Sequence, residues 1–275
     1  MTVRNRFNNP VLQKEFKLRF RTVKSFVGLF MYLLIFGILA LGFIYVLTLN
    51  QTYLFFQPEE SRALFSYLAI IQLVMLLFIT PGLTAGVVSG ERERQTLNIL
   101  LTTTLSSFQI IVGKLLSSVA YLLLLLLASL PLFSFVFLFG GVAPEEILLV
   151  FFMNLITVLT FGAIGIFFST LLKRTIAAVI SSYVLTLFLT IGTVILFFIS
   201  IGISRGLNPG GIPLISYFLT TLNPVFALLT ALNIDVTGAF DNWPSLPVWM
   251  MYVIVYTLVF IFCTWMSTLK LRKEK

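Results

Sequence analysis

The sequence predicts an all-α membrane protein with six transmembrane helices in one domain over residues 1–275. Hydrophobic residues make up 59% of the 275 positions and charged residues only 10%, whereas a soluble domain has about 25% charged residues. Six apolar runs each reach the roughly 20 residues needed to cross a bilayer, and none has a charge at its centre. The expected spans are approximately 25–49, 63–88, 109–139, 147–172, 175–203 and 246–269.

Lys and Arg are distributed unevenly between the connections. Sixteen of the 18 basic residues fall in the N-terminal segment, the connections after spans two and four, and the C-terminal tail, which leaves only Arg62 and Arg205 for the other side. Cytoplasmic segments carry the excess of basic residues. We therefore expect a multi-pass protein of the cytoplasmic membrane with both termini in the cytoplasm. The net charge of +8 reflects this orientation, and a nucleic-acid partner is not expected.

Residues 1–24 are expected to form an amphipathic helix at the membrane interface. Apolar and basic side chains recur there on two different helical faces, a pattern typical of helices that lie among anionic headgroups. The candidate membrane-interface residues are Lys14, Phe16, Lys17, Phe20, Arg21 and Lys24. This helix could be a simple basic anchor, or an elbow helix that also borders a cytoplasmic partner.

A seventh apolar stretch, residues 212–234, lies in the outer loop 204–245. A seventh crossing would place the basic C-terminal tail outside, against the charge rule. Asn223-Pro224 also divides the stretch into two pieces of about ten residues, each about 15 Å long as a helix. We expect two short helices that dip into the outer leaflet before span six.

The loop between spans two and three, residues 89–108, begins with four consecutive charges at 91–94. At about 2.5 to 3.5 kcal/mol per charge, burying them in hydrocarbon would cost on the order of 10 kcal/mol, so the loop lies outside the membrane. Helical periodicity over 91–103 predicts one short amphipathic helix. Its polar face would hold Glu91, Gln95, Asn98 and Thr102, and its apolar face Leu97, Leu100 and Leu101. Ser106 with Gln109 is expected to be a capping box that opens span three.

Several classes of protein are disfavoured by what the sequence lacks. The phosphate-binding pattern G-x-x-x-x-G-K-[ST] is absent, since the Gly113-Lys114 pair is followed by Leu115, so an ATPase site must belong to another chain. The absence of His removes the commonest general base and argues against an intramembrane serine protease. Ion-coupled carriers usually keep a charge inside a span, and here only backbone ion sites remain open. Polar residues inside the spans, such as Gln72, Asn154 and Thr157, are expected chiefly to hold helices together.

The segment "GERERQTLNILLTTTLSSFQIIVGKLL" (90–116) resembles the first cytoplasmic loop of bacterial type-2 ABC transporter permeases. The shared pattern is an acidic-basic run, then T-L-x-x-L-L, a short break, a Ser, and G-K entering the next span. Thr104 departs from it, because the family often has Pro there. Weaker similarities extend to "NPVLQKEFKLRFR" at the N-terminus and to "STLLKRTIAAVISSYVL" (169–185) between spans four and five.

The resemblance implies a non-enzymatic permease subunit of an ATP-driven exporter. In this family the first cytoplasmic loop forms a coupling helix that seats in a separate cytoplasmic ATPase subunit, and two permease subunits, identical or different, form the membrane part. ATP and Mg would be bound by the ATPase, and no cofactor by this chain. The expected coupling residues are Glu91, Arg92, Glu93, Arg94, Gln95, Thr96, Leu97, Asn98, Leu100, Leu101, Thr102 and Ser106.

The two faces of this loop can be assigned in two ways. We expect the polar face to contact the ATPase and the leucines to pack on the membrane bundle, although periodicity alone also permits the reverse. A membrane scaffold or sensor that partners an ATPase without transport is an alternative, as is a loop that is charged but binds no partner. The cargo is open between a lipid, a hydrophobic peptide, a drug and an ion.

Overall fold

The computed structural model of the protein describes residues 22–49, 58–97, 106–138, 140–207, 214–234 and 247–273, and these residues contain no β-strand. Six helical stretches of the described residues are long and apolar enough to cross a membrane, which confirms the predicted fold class. In chain order the helices are α1 (Val23–Leu49), α2 (Pro58–Thr84), α3 (Ser89–Glu93), α4 (Ser107–Ala128), α5 (Leu130–Leu138), α6 (Pro144–Leu171), α7 (Thr175–Leu187), a π-helical segment (Phe188–Gly192), α8 (Thr193–Leu207), α9 (Leu214–Leu222), α10 (Pro224–Ala231) and α11 (Val248–Lys273).

The six spans are built from these helices as follows. Span one is α1, span two is α2 with its extension α3, span three is α4 with α5, and span four is α6. Span five comprises α7, the π-helical segment and α8, and span six is α11. Span three is interrupted at Ser129, where Pro131 occupies the first turn of α5, a position at which proline leaves no intrahelical hydrogen bond unmade.

The core of the bundle is centred on α6. This helix packs against α2, α4, α7 and α11, and it is buried on most of its circumference because small residues let its neighbours approach closely. In contrast, the buried residues of α1 are Tyr32, Phe36 and Ala40. These residues are spaced by four and therefore lie on one helical face.

The outer stretch forms two short helices, α9 and α10, which meet at Asn223-Pro224 as predicted. The side-chain oxygen of Asn223 accepts hydrogen bonds from the backbone N–H groups of Val225 and Phe226 and so caps α10, while Pro224 is favourable at the first helical position. Both helices pack against α11. Residues 208–213 and 235–246 of the same loop lie outside the described residues, and insertion of the pair into the outer leaflet stays a prediction.

The starts of α2 and α6 lie at the same end of the bundle as the end of α10. The guanidinium of Arg62 pairs with the Glu146 carboxylate at 3.4 Å and donates to the carbonyl oxygen of Leu232 at 3.3 Å. Helix α3 and the start of α7 lie at the opposite end of the bundle, and the orientation predicted from the charges stays a prediction. The prediction assigns the α3 end to the cytoplasm.

Most of the predicted interfacial helix, including Lys14, Phe16, Lys17, Phe20 and Arg21, lies outside the described residues. Lys24 is described, and it lies in the first turn of α1, which begins at Val23. The first spanning helix therefore starts inside the segment that the sequence assigned to the interfacial helix.

Candidate functional site

Span two ends in the short helix α3, and the chain turns immediately after it. Helix α3 stops at Glu93, Gln95 adopts φ 58°, and the backbone N–H of Thr96 donates to the carbonyl oxygen of Glu91 at 2.9 Å. A left-handed residue of this kind ends helices and is uncommon for residues other than glycine. The prediction of one continuous helix over 91–103 is therefore wrong, and Glu91 and Gln95 do not share a helical face.

The first charged residue of the loop, Glu91, reaches α4. Its carboxylate pairs with the ammonium of Lys114 at 2.6 Å. The Lys114 side chain is only 1% exposed, whereas that of Glu91 is 29% exposed. A buried ammonium group is costly unless a partner compensates for its lost hydration, so this pair fixes α3 against span three.

The second charged residue, Arg92, reaches the end of α6. Its guanidinium donates to the carbonyl oxygens of Leu172 at 3.1 Å and Thr170 at 3.2 Å. The last carbonyls of a helix have no intrahelical donor and carry the negative end of the helix dipole. Arg92 thus satisfies two such carbonyls and ties α3 to span four.

The third charged residue, Glu93, reaches the start of α7. Its carboxylate accepts hydrogen bonds from the backbone N–H and the hydroxyl of Thr175, both at 2.8 Å. The first N–H groups of a helix lack intrahelical acceptors, and a negative charge there is favourable. Glu93 therefore acts as a cap supplied from another segment and ties α3 to span five.

The start of α3 is held by Ser169 of α6. The Ser169 hydroxyl oxygen accepts hydrogen bonds from the backbone N–H groups of Val88 at 2.9 Å and Ser89 at 3.0 Å. Together with the three charged residues, this contact fixes both ends of α3 to the adjoining ends of spans three, four and five. A displacement of α3 must therefore move these three spans or break the polar contacts to them.

The rest of the loop divides into exposed and buried residues. Arg94, Gln95 and Thr96 are exposed, whereas Leu97 is only 3% exposed, as expected for the apolar side of the loop. Asn98, Leu100, Leu101 and Thr102 lie outside the described residues. The described chain resumes at Ser106.

The capping box that opens span three is confirmed. The backbone N–H of Ser106 donates to the Gln109 side chain at 3.0 Å, and the backbone N–H of Gln109 donates to the Ser106 hydroxyl at 3.2 Å. The loop thus ends at a fixed helix start.

Sequence reasoning missed the partners of the charged run. It treated Glu91, Arg92 and Glu93 as candidate contacts of another protein and did not consider Lys114 or Thr175 as their partners. The only sequence signal for the first pair is Lys114 itself, a basic residue eight positions into a helix that is otherwise apolar there.

Polar residues within the spans bond to neighbouring helices. Asn154 of α6 donates to Gln72 of α2 at 3.4 Å, and Gln72 in turn donates to Ser129 of span three. The hydroxyls of Thr157 and Tyr252 lie 2.6 Å apart between α6 and α11. These contacts confirm the expectation that such residues hold the helices of the bundle together.

Six spanning helices around a shared core, with a charged loop fixed between span ends, define a polytopic α-helical membrane protein. The family model for "ABC-2 family transporter protein" matches residues 10–269. The chain therefore belongs to the ABC-2 transporter family and is a type-2 permease, the membrane component of an ABC transporter. Membership implies association with an ABC ATPase. No curated protein sequence matches the chain significantly.

Proposed function

We propose that this chain is the membrane-spanning subunit of an ATP-driven exporter, in which the loop over 89–108 receives force from a separate ATPase subunit. One observation carries the proposal. Three consecutive charged residues of this loop, Glu91, Arg92 and Glu93, bond to three different spans. A loop that served only as a connection would not require a rigid attachment to each of these spans.

The loop has an exposed part suited to binding and an inner part suited to transmission. Arg94, Gln95 and Thr96 are exposed at the turn after α3, and we assign them to contact with the ATPase. The contacts of Glu91, Arg92 and Glu93 convert movement of this turn into movement of the ends of α4, α6 and α7. Tightly packed elements shift as units instead of deforming gradually, so a small displacement of α3 would tilt several spans together.

The proposed assembly contains two permease subunits, identical or different, and two ATPase subunits that bind ATP and Mg. This arrangement and the outward direction of transport rest on the resemblance of the first loop to type-2 ABC permeases and on membership of the family. The sequence supports the division of labour, because the phosphate-binding pattern does not occur in this chain.

The proposal is tested by expressing the full-length chain together with a candidate ABC ATPase subunit. The retained ATPase and its hydrolysis rate in lipid nanodiscs are the two measurements. We expect Arg94→Glu with Gln95→Glu, both exposed, to reduce the amount of ATPase that co-purifies without lowering the thermal stability of the chain. Glu93→Gln weakens the link to Thr175. This variant should retain the ATPase, but the hydrolysis rate of the complex should differ from that of the complex with the parent chain.

Arg62→Gln, at the opposite end of the bundle, is the matched control and should leave both measurements unchanged. Full retention and unchanged hydrolysis in the Arg94/Gln95 double variant would refute the assignment of the turn. Vectorial transport by the purified chain with no ATPase present would refute the proposed function as a whole.

A further inference from the structure

A groove of about 720 Å³ lies between spans one, two and three. It is lined by α1 from Lys24 to Ile35, by α2 from Val74 to Leu83, and by two residues of α4, Tyr121 and Leu125. Its volume falls within the roughly 300–1,000 Å³ of small-molecule sites. The lining is almost entirely apolar, so a ligand here must present mainly hydrocarbon.

The length of the groove matches one leaflet of a bilayer. At 1.5 Å per residue, the α1 segment is about 16 Å long and the α2 segment about 14 Å, and half of the hydrocarbon thickness is about 15 Å. The groove begins at the N-terminal end of α1, which the charge distribution places on the cytoplasmic side. It therefore extends from that surface to about the middle of the membrane.

Among the described residues that line the groove, Lys24 is the charged one, and it lies at the end that the charge distribution places on the cytoplasmic side. Lys24 is exposed there, and the other described lining residues are uncharged. A positive charge at the headgroup level above an apolar groove is complementary to an anionic headgroup that carries an acyl chain. A neutral or cationic amphiphile would lack this match.

The wall between α1 and α4 is preformed. The hydroxyl of Tyr121 donates to the carbonyl oxygen of Ser25 at 2.8 Å. At Gly28, an added Cβ would lie 2.7 Å from the same hydroxyl, so a larger residue there would displace the end of the Tyr121 side chain. This contact closes the groove on the α4 side. The groove stays open on the side of Met31, whose exposed fraction is 50%.

We propose that this groove is a binding site for one anionic phospholipid of the cytoplasmic leaflet, with an acyl chain along Met31 and Ile35 and the phosphate at Lys24. The site goes beyond the proposed export function, because the lipid would be a bound structural component and not cargo. Its occupant also fills the space that separates α1 from α2. Span one would then be held to the bundle partly by lipid.

The probe is phosphatidylglycerol, compared with phosphatidylcholine of the same acyl chains, added to the purified full-length protein in detergent. Native mass spectrometry counts the lipids that remain bound. We expect one retained phosphatidylglycerol and a preference over phosphatidylcholine of about fivefold, the effect of one basic residue at the membrane surface. Lys24→Gln should abolish the preference, whereas Lys270→Gln, an exposed lysine near the end of α11, should keep it.

A second pair of variants tests the groove itself. Met31→Trp should fill the groove and reduce retention of both lipids, whereas Leu41→Trp, on an exposed part of α1 beyond the groove, should not. A phosphatidylglycerol with a photoreactive group in its acyl chain, used on the unaltered protein, should crosslink to peptides containing Ile35 or Val74. This measurement does not depend on the folding of any variant.

Three results would overturn the proposal. One is an equal loss of preference in Lys24→Gln and Lys270→Gln, which would indicate general attraction to basic residues. Another is unchanged retention in a well-folded Met31→Trp protein. The third is crosslinking of the lipid probe that maps outside the groove.

Discussion

The side-chain amide of Asn223 donates a hydrogen bond of 2.6 Å to the backbone carbonyl oxygen of Thr190. The same amide donates to the Thr193 hydroxyl at 2.8 Å, while its oxygen caps α10. Thr190 lies in the π-helical segment of span five, where the backbone hydrogen-bond register is shifted by one residue and a carbonyl can lose its usual donor. One fully buried side chain thus joins the outer helix pair to the irregular part of span five.

Replacing Asn223 should therefore destabilise the protein more than the loss of a helix cap alone. Removing a cap costs about 0.5–2 kcal/mol, and losing the two hydrogen bonds that the amide donates to Thr190 and Thr193 adds about 0.5–1.5 kcal/mol each. We expect Asn223→Ala to lower the thermal unfolding midpoint of the detergent-purified chain clearly. Loss of the monodisperse elution peak after heating measures this midpoint.

Asn223→Asp separates the two contributions, because a carboxylate still accepts from Val225 and Phe226 but cannot donate to Thr190. It should remain clearly less stable than the parent chain. Thr221→Ala is the control, since the Thr221 hydroxyl bonds only within α9, to the carbonyl of Phe218. A midpoint for Asn223→Asp equal to that of the parent would show that the link to Thr190 contributes nothing.

The ion pair of Glu91 and Lys114 should behave as a buried pair. Removing one partner of such a pair typically costs about 3–5 kcal/mol, and partial exposure of Glu91 should reduce this figure. We expect Glu91→Gln to be more harmful than Lys114→Met, because it removes the negative charge that compensates the buried ammonium of Lys114. The double variant should be less destabilised than the sum of the two single changes, as measured by unfolding midpoints in a double-mutant cycle.

The pair of Arg62 and Glu146 provides the comparison for this cycle. It is longer, at 3.4 Å, and its side chains are 47% and 26% exposed. An exposed pair contributes about 0–1 kcal/mol, so Glu146→Gln should change the midpoint little. Similar coupling energies in the two cycles would mean that the Glu91–Lys114 pair contributes no more to stability than the exposed Arg62–Glu146 pair.

The features that sequence could predict depend on local or compositional signals. Run length and low charge identify the six spans, since a bilayer core imposes a minimum helix length. Asn223-Pro224 marks the break between α9 and α10 because both residues favour a helix start. The capping box at Ser106 and Gln109 is likewise contained within four positions of the chain.

The error in the charged loop has a non-local cause. The prediction of one helix over 91–103 assumes that a helix continues as long as its polar and apolar residues recur at helical spacing. The helix ends at Glu93 because Arg92 and Glu93 find better partners at the ends of α6 and α7, about 80 positions away in sequence. Tertiary contacts of this kind override local preference, and a single sequence does not reveal them.

Gly165 of α6 should resist substitution because α2 ends directly against it. An added Cβ there would lie 2.9 Å from the Cβ of Thr84 and 3.2 Å from the backbone nitrogen of Ala85. Neither is the end of a flexible side chain, so Gly165→Ala must push span two away and should destabilise by about 1–3 kcal/mol. Thermal unfolding of the purified chain measures the effect.

Gly162 is the matched control one helical turn earlier. A Cβ at this position would meet its nearest neighbour, Val119, at an ordinary 3.5 Å. Gly162→Ala should therefore be tolerated, and it should even gain slightly from the higher helix propensity of alanine. If both glycines tolerate alanine equally, the close approach of α2 to α6 does not constrain the protein.

Leu97 anchors the far side of the turn, and its replacement should separate ATP hydrolysis from transport. Its side chain is 3% exposed and belongs to the continuous core of the bundle, so a carboxylate there would be driven out of its site. We expect Leu97→Asp together with Leu101→Asp to leave the six spans inserted but to uncouple hydrolysis by the ATPase subunit from movement of cargo. Hydrolysis and transport by the reconstituted complex are measured on the same samples.

Lys270→Asp controls for the added charge, since Lys270 is exposed near the end of α11 and lies outside the loop. It should leave the ratio of hydrolysis to transport close to that of the parent. Membrane insertion of the double leucine variant is checked by its recovery in the membrane fraction and by its elution after detergent extraction. Transport at the parental rate in a correctly inserted double variant would contradict the role of the loop as a mechanical link, because the loop would then have lost its apolar attachment without consequence.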